Sequence, residues 1–247
     1  MNADPAIQLR LLDLQAIDSA LSRLAHRRAT LAELAEIERG DQRLAELRDD
    51  VVRAETQISD IDREQRRLEA DVEQVRQRAA RDQQRMASGA VGSPKELEGL
   101  QHEVDTLSRR QSDLEDHVLD VMERHETVDG QLAALRAQVS EATAQRDRAV
   151  AGRDSAYAGM DVEEERARTE RQDVVAEMPD ELLALYERIR QSAGGVGAAA
   201  LRQRRCEGCR LELAGTELTA ARNAPPDAVL RCENCRRILV RTPESGL

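Results

Sequence analysis

The chain contains no phenylalanine and no tryptophan, and its only aromatics are Tyr157 and Tyr186. A globular core of ordinary size draws much of its buried area from aromatic rings. In 247 residues, their scarcity excludes a conventional globular domain as the main body. Long apolar runs are missing too, so no stretch approaches membrane-spanning length. Met1–Gln15 has neither a basic n-region nor an uninterrupted apolar h-region, so no signal peptide is expected. These absences point to a cytoplasmic protein that does not enter the membrane. There is no Walker loop, no HExxH, no GxSxG and no dinucleotide fingerprint, and an enzyme is not expected. All four histidines (His26, His102, His117, His125) stand apart, none with a second ligand at metal spacing.

Charge is abundant instead. Charged residues make up 34% of the chain and the net charge is −11, which excludes a protein that is basic throughout. Apolar residues recur at alternating spacings of three and four. Upstream the series includes Leu44, Leu47, Val51, Ala54, Ile58 and Ile61; downstream it includes Leu97, Leu100, Val104, Leu107, Leu114 and Val118. A 3.5-residue apolar repeat makes helices that coil around a partner, with charged faces turned to solvent. The two series flank Ser88–Glu96, where two glycines break the first helix. Ser93 then offers an N-cap, Pro94 occupies the first helical position, and Glu96 falls three residues after the cap.

The partner of each series is therefore the other one, in an antiparallel hairpin. If Met86 faces Leu97, Val72 meets Gln111, Ile61 meets Val121 or Met122, and Val51 meets Leu132. The same register brings Pro5 opposite Met178. The ascending helix is expected over residues 5–87. Its seam slips phase between about 31 and 41, near Gly40; an irregularity tolerated within a continuous helix is the preferred reading, and a local change of supercoil or a hinge is the alternative. The descending helix runs from Pro94 to about Met178. Its seam weakens after Ala149, which predicts a less rigid end. His125 opposite Ile58 is a register-fixing polar position.

The expected organisation is mainly α: a coiled-coil hairpin over 1–178 with its tip at 88–94, a short helix and Gly-rich joint over 179–197, and a small β zinc ribbon over 198–247. The short helix is read as Glu181–Gln191, the joint as Ser192–Gly197 and the first strand as Ala198–Arg205.

The ribbon rests on the cysteines. Cys206 and Cys209 form one CxxC, and Cys232 and Cys235 the other, 22 residues on. Two such pairs fit one tetrahedral structural zinc ion; a redox dithiol pair or an iron cluster are the alternatives. Four cysteine ligands leave no open position for catalysis. Gly208 and Asn234 are read as the left-handed residues of the two turns. Leu211–Leu213 and Ile238–Val240 are expected as short strands after the knuckles. A module this small folds with help from its metal.

Three segments resemble a family of bacterial coiled-coil proteins with a C-terminal C4-type zinc ribbon, which includes a flagellar regulator of epsilonproteobacteria and a chlamydial relative. The tip Ser93-Pro94-Lys95-Glu96-Leu97-Glu98-Gly99-Leu100-Gln101-His102-Glu103 is similar to that family's turn. Pro179–Arg190 is similar to its P-x-x-L-L-x-x-Y-x-x-I/L-R helix, and Cys232–Val240 to its C-x-x-C-G-R-I-L-Y ending. The resemblance implies the hairpin and ribbon just described. It also implies a binding role, since members are linked to protein partners, among them an alternative sigma factor, and to RNA. The sigma-factor link belongs to one branch and is not carried to this chain. Arg236 stands where the family has Gly, and Val240 where it has an aromatic, which removes a platform for base stacking.

The functional expectation is a non-catalytic adaptor that docks protein partners, as a monomer or a dimer of hairpins, with weak nucleic-acid contact through the ribbon. The alternative is an RNA- or DNA-binding regulator. Its candidate contacts are Arg204, Arg205, Arg210, Arg222, Arg231, Arg236, Arg237 and Arg241. Residues 201–247 hold nine arginines and six acidic residues, net +3. A zinc ion with four thiolates lowers that to about +1. Candidate docking residues at the tip are Val91, Lys95 and Gln101.

Overall fold

A computed structural model describes all 247 residues. Five helices and four short strands occur in the order α1 (Pro5–Ala29), α2 (Ala32–Ala87), α3 (Pro94–Ala176), α4 (Asp180–Ser192), β1 (Ala198–Arg202), β2 (Arg205–Cys206), α5 (Gly215–Asn223), β3 (Leu230–Arg231) and β4 (Ile238–Arg241). They fall into two compact units, one of residues 35–149 and the other of residues 1–34 with 150–247. This division cuts across the expected one, since the helical base and the ribbon share a unit.

The unit of residues 35–149 is a helical hairpin. Ala54, Ile61, Val121, Val128 and Leu132 form a buried cluster along its seam. Ile61 therefore shares the core with Val121, whereas Met122 is exposed. Ion pairs cross the seam at Arg76–Glu115 (2.5 Å), Arg124–Glu64 (2.5 Å) and Arg136–Glu55 (2.8 Å). His125 Nε2 lies 3.2 Å from Asp62 Oδ1. Gly40 lies inside α2 and makes room for a close helix approach: a Cβ there would come 3.0 Å from Cβ of Arg146. Arg146 crosses over it, and its Nε donates to Asp41 at 3.0 Å. The polar seam position Arg146 thus has a structural role.

At the tip, Ser93 Oγ accepts from the Glu96 N–H at 3.2 Å, and Glu96 Oε2 accepts from the Gly92 N–H at 3.3 Å. This is the reciprocal cap expected, displaced by one residue at its return bond. Leu97, the residue set opposite Met86 in that register, is 42% exposed. Cysteines introduced together at Ile61 and Val121 should form a disulfide within one chain on mild oxidation. Mass spectrometry of the denatured product would detect it, and crosslinks exclusively between chains would contradict the antiparallel register.

In the other unit, α1 begins at Asp4, whose carboxylate accepts from the Ala6 N–H at 2.8 Å, with Pro5 at the first position. The continuous helix expected over residues 5–87 is instead broken at Thr30–Leu31. Thr30 Oγ1 turns back to the His26 carbonyl at 2.9 Å, and the Thr30 N–H bonds the carbonyls of His26 and Arg27. Such back-bonding competes with helix propagation. The basic last turn (His26, Arg27, Arg28) suits a C-terminus. Tyr157 lies beneath Arg28, whose guanidinium carbon is 5.0 Å from the ring centroid. The phase slip in the sequence thus reflects a real break, just upstream of where it was read.

The core of this unit joins Leu11, Leu14 and Ile17 of α1, Val174 of α3, Leu182, Tyr186 and Ile189 of α4, and Ala198, Ile238 and Val240 of the strands. The end expected to be looser is therefore packed, with Met160 and Val174 nearly inaccessible. The glycine joint is pinned as well. Gln15 Oε1 accepts from the Gly197 N–H at 2.6 Å, and its Nε2 donates to the Gly195 carbonyl at 3.1 Å. A Cβ on Gly197 would fall 2.7 Å from the Tyr186 ring.

The strands make one sheet in the order β2-β1-β4-β3, with β1 and β4 parallel at the centre and antiparallel partners outside. The expected strand over Leu211–Leu213 is reduced to a single bridge, Arg205↔Glu212. The chain at 215–223 is helical instead.

Candidate metal centre

Each outer strand leads into or out of a cysteine knuckle. β1 turns into β2 through Gln203 and Arg204, at φ 47° and 65°. Two left-handed residues in succession make the tight reversal that suits twisted strands. The C-terminal segment holds this turn, because the N–H groups of Gln203 and Arg204 donate to the carbonyls of Glu244 (2.8 Å) and Ser245 (2.9 Å).

The knuckles are built alike. The Cys206 carbonyl accepts from the Arg210 N–H at 2.7 Å, and the Cys232 carbonyl from the Arg236 N–H at 2.9 Å. The N–H of each first cysteine donates to a carbonyl five residues on, Cys206 to Leu211 and Cys232 to Arg237. The residue after each CxxC must turn left-handed to close this loop, and Arg210 and Arg236 do so at φ 62° and 60°. The left-handed positions are therefore Arg210 and Arg236, not Gly208 and Asn234. Gly208 serves space instead: a Cβ there would lie 2.7 Å from Cδ of Arg237 and 3.0 Å from Cβ of Ala199.

A side chain in that conformation costs about 1–2 kcal/mol. Replacing Arg236 with Gly should therefore stabilise the folded ribbon by about 1 kcal/mol. A higher urea midpoint of tyrosine emission would register the gain, and a lower midpoint would show that the arginine side chain stabilises more than its backbone strain costs.

The four sulfurs of Cys206, Cys209, Cys232 and Cys235 lie within 4.8 Å of one another. Cys206 Sγ is 3.8 Å from Cys235 Sγ, and Cys209 Sγ is 3.8 Å from Cys232 Sγ. A tetrahedron with zinc–sulfur bonds of about 2.3 Å has sulfur–sulfur edges of about 3.8 Å. Cys206 and Cys232 are fully buried, and Cys209 and Cys235 half-buried. Burial pushes the Cys206 thiol far above its usual range, against the opposing pull of the Cys209 and Gly208 N–H groups. The Cys232 thiol is raised by the same cause. At Cys235 burial also acts upward, but the backbone and side chain of Arg237 together with the Cys232 and Cys209 thiols outweigh it and bring the thiol to about 7. A zinc ion supplies the charge that makes all four thiolates stable in so buried a place. The set holds one zinc ion and presents no fifth ligand.

The surrounding groups fix this cage. Arg237 donates to the carbonyls of Val196 (3.1 Å), Gly208 (3.2 Å) and Ala193 (2.7 Å), tying the first knuckle to the end of α4. Arg241 donates to the carbonyls of Ala224 (3.1 Å), Pro225 (2.7 Å) and Ala228 (2.7 Å), closing the C-terminus of α5. Glu217 of α5 accepts from the Glu233 N–H at 2.9 Å and so braces the second knuckle. Neither α5 nor Glu217 is anticipated from the sequence, although Leu213 and Leu218 at staple spacing, Ala221 three residues after Leu218, and Pro225 and Pro226 beyond carry the signal.

Arg237 and Arg241 are thus engaged in the fold rather than available to phosphates. Arg231 donates to the Arg236 carbonyl at 3.1 Å and Arg204 more weakly to that of Gly246. Arg205, Arg210, Arg222 and Arg236 are exposed. At the hairpin tip Val91 is half-buried, and Lys95 and Gln101 are exposed.

A CT398-like coiled coil hairpin domain matches over residues 14–194. The chain belongs to that family. A C4-type zinc ribbon domain matches over residues 205–239, enclosing all four cysteines. Protein Rv2229c of Mycobacterium tuberculosis (strain ATCC 25618 / H37Rv) is 35% identical over 252 residues, covering 98% of each chain. A solved structure from Mycobacterium smegmatis is 34% identical and superposes with a TM-score of 0.86 over 98% of this chain and all of the other. CT398 from Chlamydia trachomatis shares the fold at a TM-score of 0.71 and 18% identity, over 96% of this chain and 98% of its own. The CT398-like hairpin and its ribbon thus recur as a pair, consistent with the single core that joins base and ribbon here.

Proposed function

We propose that this protein is a non-catalytic adaptor: a zinc-braced helical hairpin that docks protein partners along its length and at its tip. The observation that carries the reading is the closed thiol cage. Four sulfurs at tetrahedral spacing satisfy one zinc ion completely, so the metal stabilises and leaves no position for a substrate. No helix is long and apolar enough to cross a membrane. What the hairpin offers is surface. Leu97 is 42% exposed beside Val91, Lys95 and Gln101, in a turn whose cap already accounts for Ser93 and Glu96.

The second reading, nucleic-acid binding, draws on Arg205 of β2, Arg210 and Arg236 of the knuckles and Arg222 of α5, four exposed guanidinium groups within residues 205–236. Each phosphate neutralised on a duplex contributes about −0.9 to the slope of log affinity against log salt. With so few free arginines and no aromatic for stacking, the expected contact is weak, sequence-tolerant and shallow in its salt dependence.

One experiment weighs both readings. The tagged full chain is used to capture partners from its own cell extract, with and without nuclease. The adaptor reading expects specific proteins that survive nuclease. Capture that disappears with nuclease favours the second reading. Val91→Ser with Lys95→Ser should leave the thermal midpoint nearly unchanged and lose any partner that docks at the tip.

A further inference from the structure

The two knuckles share a backbone pattern but not a support. In both, the N–H and carbonyl of the first cysteine close the loop, and the N–H of the next residue is bonded from outside it. In the first knuckle the Glu207 N–H donates to the Ala200 carbonyl of β1 at 3.0 Å. β1 lies inside the sheet, between β2 and β4. Arg237 adds a second tie, to the Gly208 carbonyl at 3.2 Å. In the second knuckle the Glu233 N–H donates to a side chain instead, Glu217 Oε1, at 2.9 Å. The bond from Arg231 Nε to the Arg236 carbonyl is exposed and comes from the adjoining strand β3.

Glu217 is an expensive choice for this duty. It is 7% exposed, and its second oxygen, Oε2, is buried without a hydrogen-bond partner. An unsatisfied buried oxygen opposes folding, and residues that break such a rule concentrate at functional sites. In return, a carboxylate accepts an N–H bond more strongly than a neutral carbonyl does. The first turn of α5 also suits its charge. α5 itself is fixed, since Ala221 is buried, Leu218 packs against the cysteine cluster and Arg241 closes the C-terminus.

We infer that Glu217 is the positioning residue of the zinc site, and that the second knuckle is the one that opens for zinc exchange. The Glu217 carboxylate does for Glu233 what a strand carbonyl does for Glu207. A side chain can leave by changing rotamer, whereas a strand inside a sheet is held by its ladder. The second knuckle therefore opens more readily, while Cys206 and Cys209 retain the ion. Exposure predicts no such difference, because each knuckle has one buried and one half-buried cysteine. The asymmetry holds whichever partner the hairpin docks.

The test is brief alkylation of the zinc-loaded full chain with N-ethylmaleimide, then trypsin and mass spectrometry. Cleavage at Arg205, Arg210, Arg231 and Arg236 puts Cys206 with Cys209 on one peptide and Cys232 with Cys235 on another. In the native chain, early alkylation should fall several-fold more on the Cys232–Cys235 peptide. Glu217→Ala should speed that alkylation, and zinc transfer to a chromogenic chelator, by about tenfold, the lower end of what removing a group behind a metal ligand does to affinity. Glu217→Gln keeps an oxygen for the Glu233 N–H and should bring both rates back close to native. Ala220→Gly weakens α5 at an exposed position by helix propensity alone and should leave the ratio between the peptides unchanged. Equal early alkylation of the two peptides, or faster alkylation of the Cys206–Cys209 peptide, would overturn the inference. So would Glu217→Gln exchanging zinc as fast as Glu217→Ala, or Ala220→Gly matching the effect of Glu217→Ala. Should Glu217→Ala retain no zinc, the native ratio and the Glu217→Gln rates decide.

Discussion

Replacing Cys232 with Ser should remove the zinc ion and disrupt far more than the second knuckle. Cys232 is fully buried at the centre of the sulfur cluster. Structural zinc contributes on the order of 10–16 kcal/mol to the folding of small zinc modules at neutral pH. A three-thiol remnant with a buried hydroxyl forfeits much of that. Metal analysis should show a large drop from one zinc per chain. Limited proteolysis should then cut within residues 198–247. Most of the far-ultraviolet circular dichroism should persist, because α2 and α3 hold most of the helix and lie outside the ribbon. Full zinc retention in this variant would sink the assignment. Because zinc displaces protons from four thiols, its affinity should also fall as pH is lowered.

The second large effect is expected at Asp18. Its carboxylate is 3% exposed, accepts from Arg171 Nε at 2.7 Å and from the Tyr186 hydroxyl at 2.7 Å, and lies 3.5 Å from Arg190 Nε. Burial first, and the bond to Asp18 second, hold the Tyr186 phenol protonated far above its ordinary range. Asp18→Ala removes the carboxylate shared by Arg171, Arg190 and the buried Tyr186 hydroxyl, while both arginines keep Glu187, and should cost about 1–3 kcal/mol. Asp18→Asn keeps an acceptor for Tyr186 and should cost less. Tyrosine emission is a clean probe, since Tyr157 and Tyr186 are the only aromatics and both belong to the unit of residues 1–34 with 150–247. An unchanged urea midpoint for Asp18→Ala would show that the network does not stabilise this unit.

Much of the fold was legible because its determinants are local. The heptads, the Ser93–Glu96 cap and the CxxC spacing are each written within a few residues, and each led to the right element. What escaped notice depends on partners distant in sequence. Gln15 and Asp18 look like surface polar residues of an amphipathic helix until α4 and the Gly195–Gly197 segment fold over them. The phase slip after Leu31 was visible, but its cause, back-bonding by Thr30 at the end of α1, was not read. In the knuckles, glycine and asparagine drew the left-handed assignment by propensity. Loop closure placed that conformation on Arg210 and Arg236, an instance of local geometry overriding residue preference. Arg237 and Arg241 look like free cations in the sequence, which does not show the carbonyls of Ala193, Val196, Pro225 and Ala228 that converge on them.

Ribbon and helical base share one core, through Leu11, Leu14, Tyr186, Ile238 and Val240, so loss of the zinc ion should loosen both. Hydrogen exchange of the full chain, before and after zinc removal by a chelator, tests it most directly. Chelation should deprotect residues 198–206 and 230–241 and also Leu11–Ile17 and Leu182–Ile189, while residues 44–75 stay protected. Loss of protection confined to the ribbon, with Leu11–Ile17 unchanged, would contradict it.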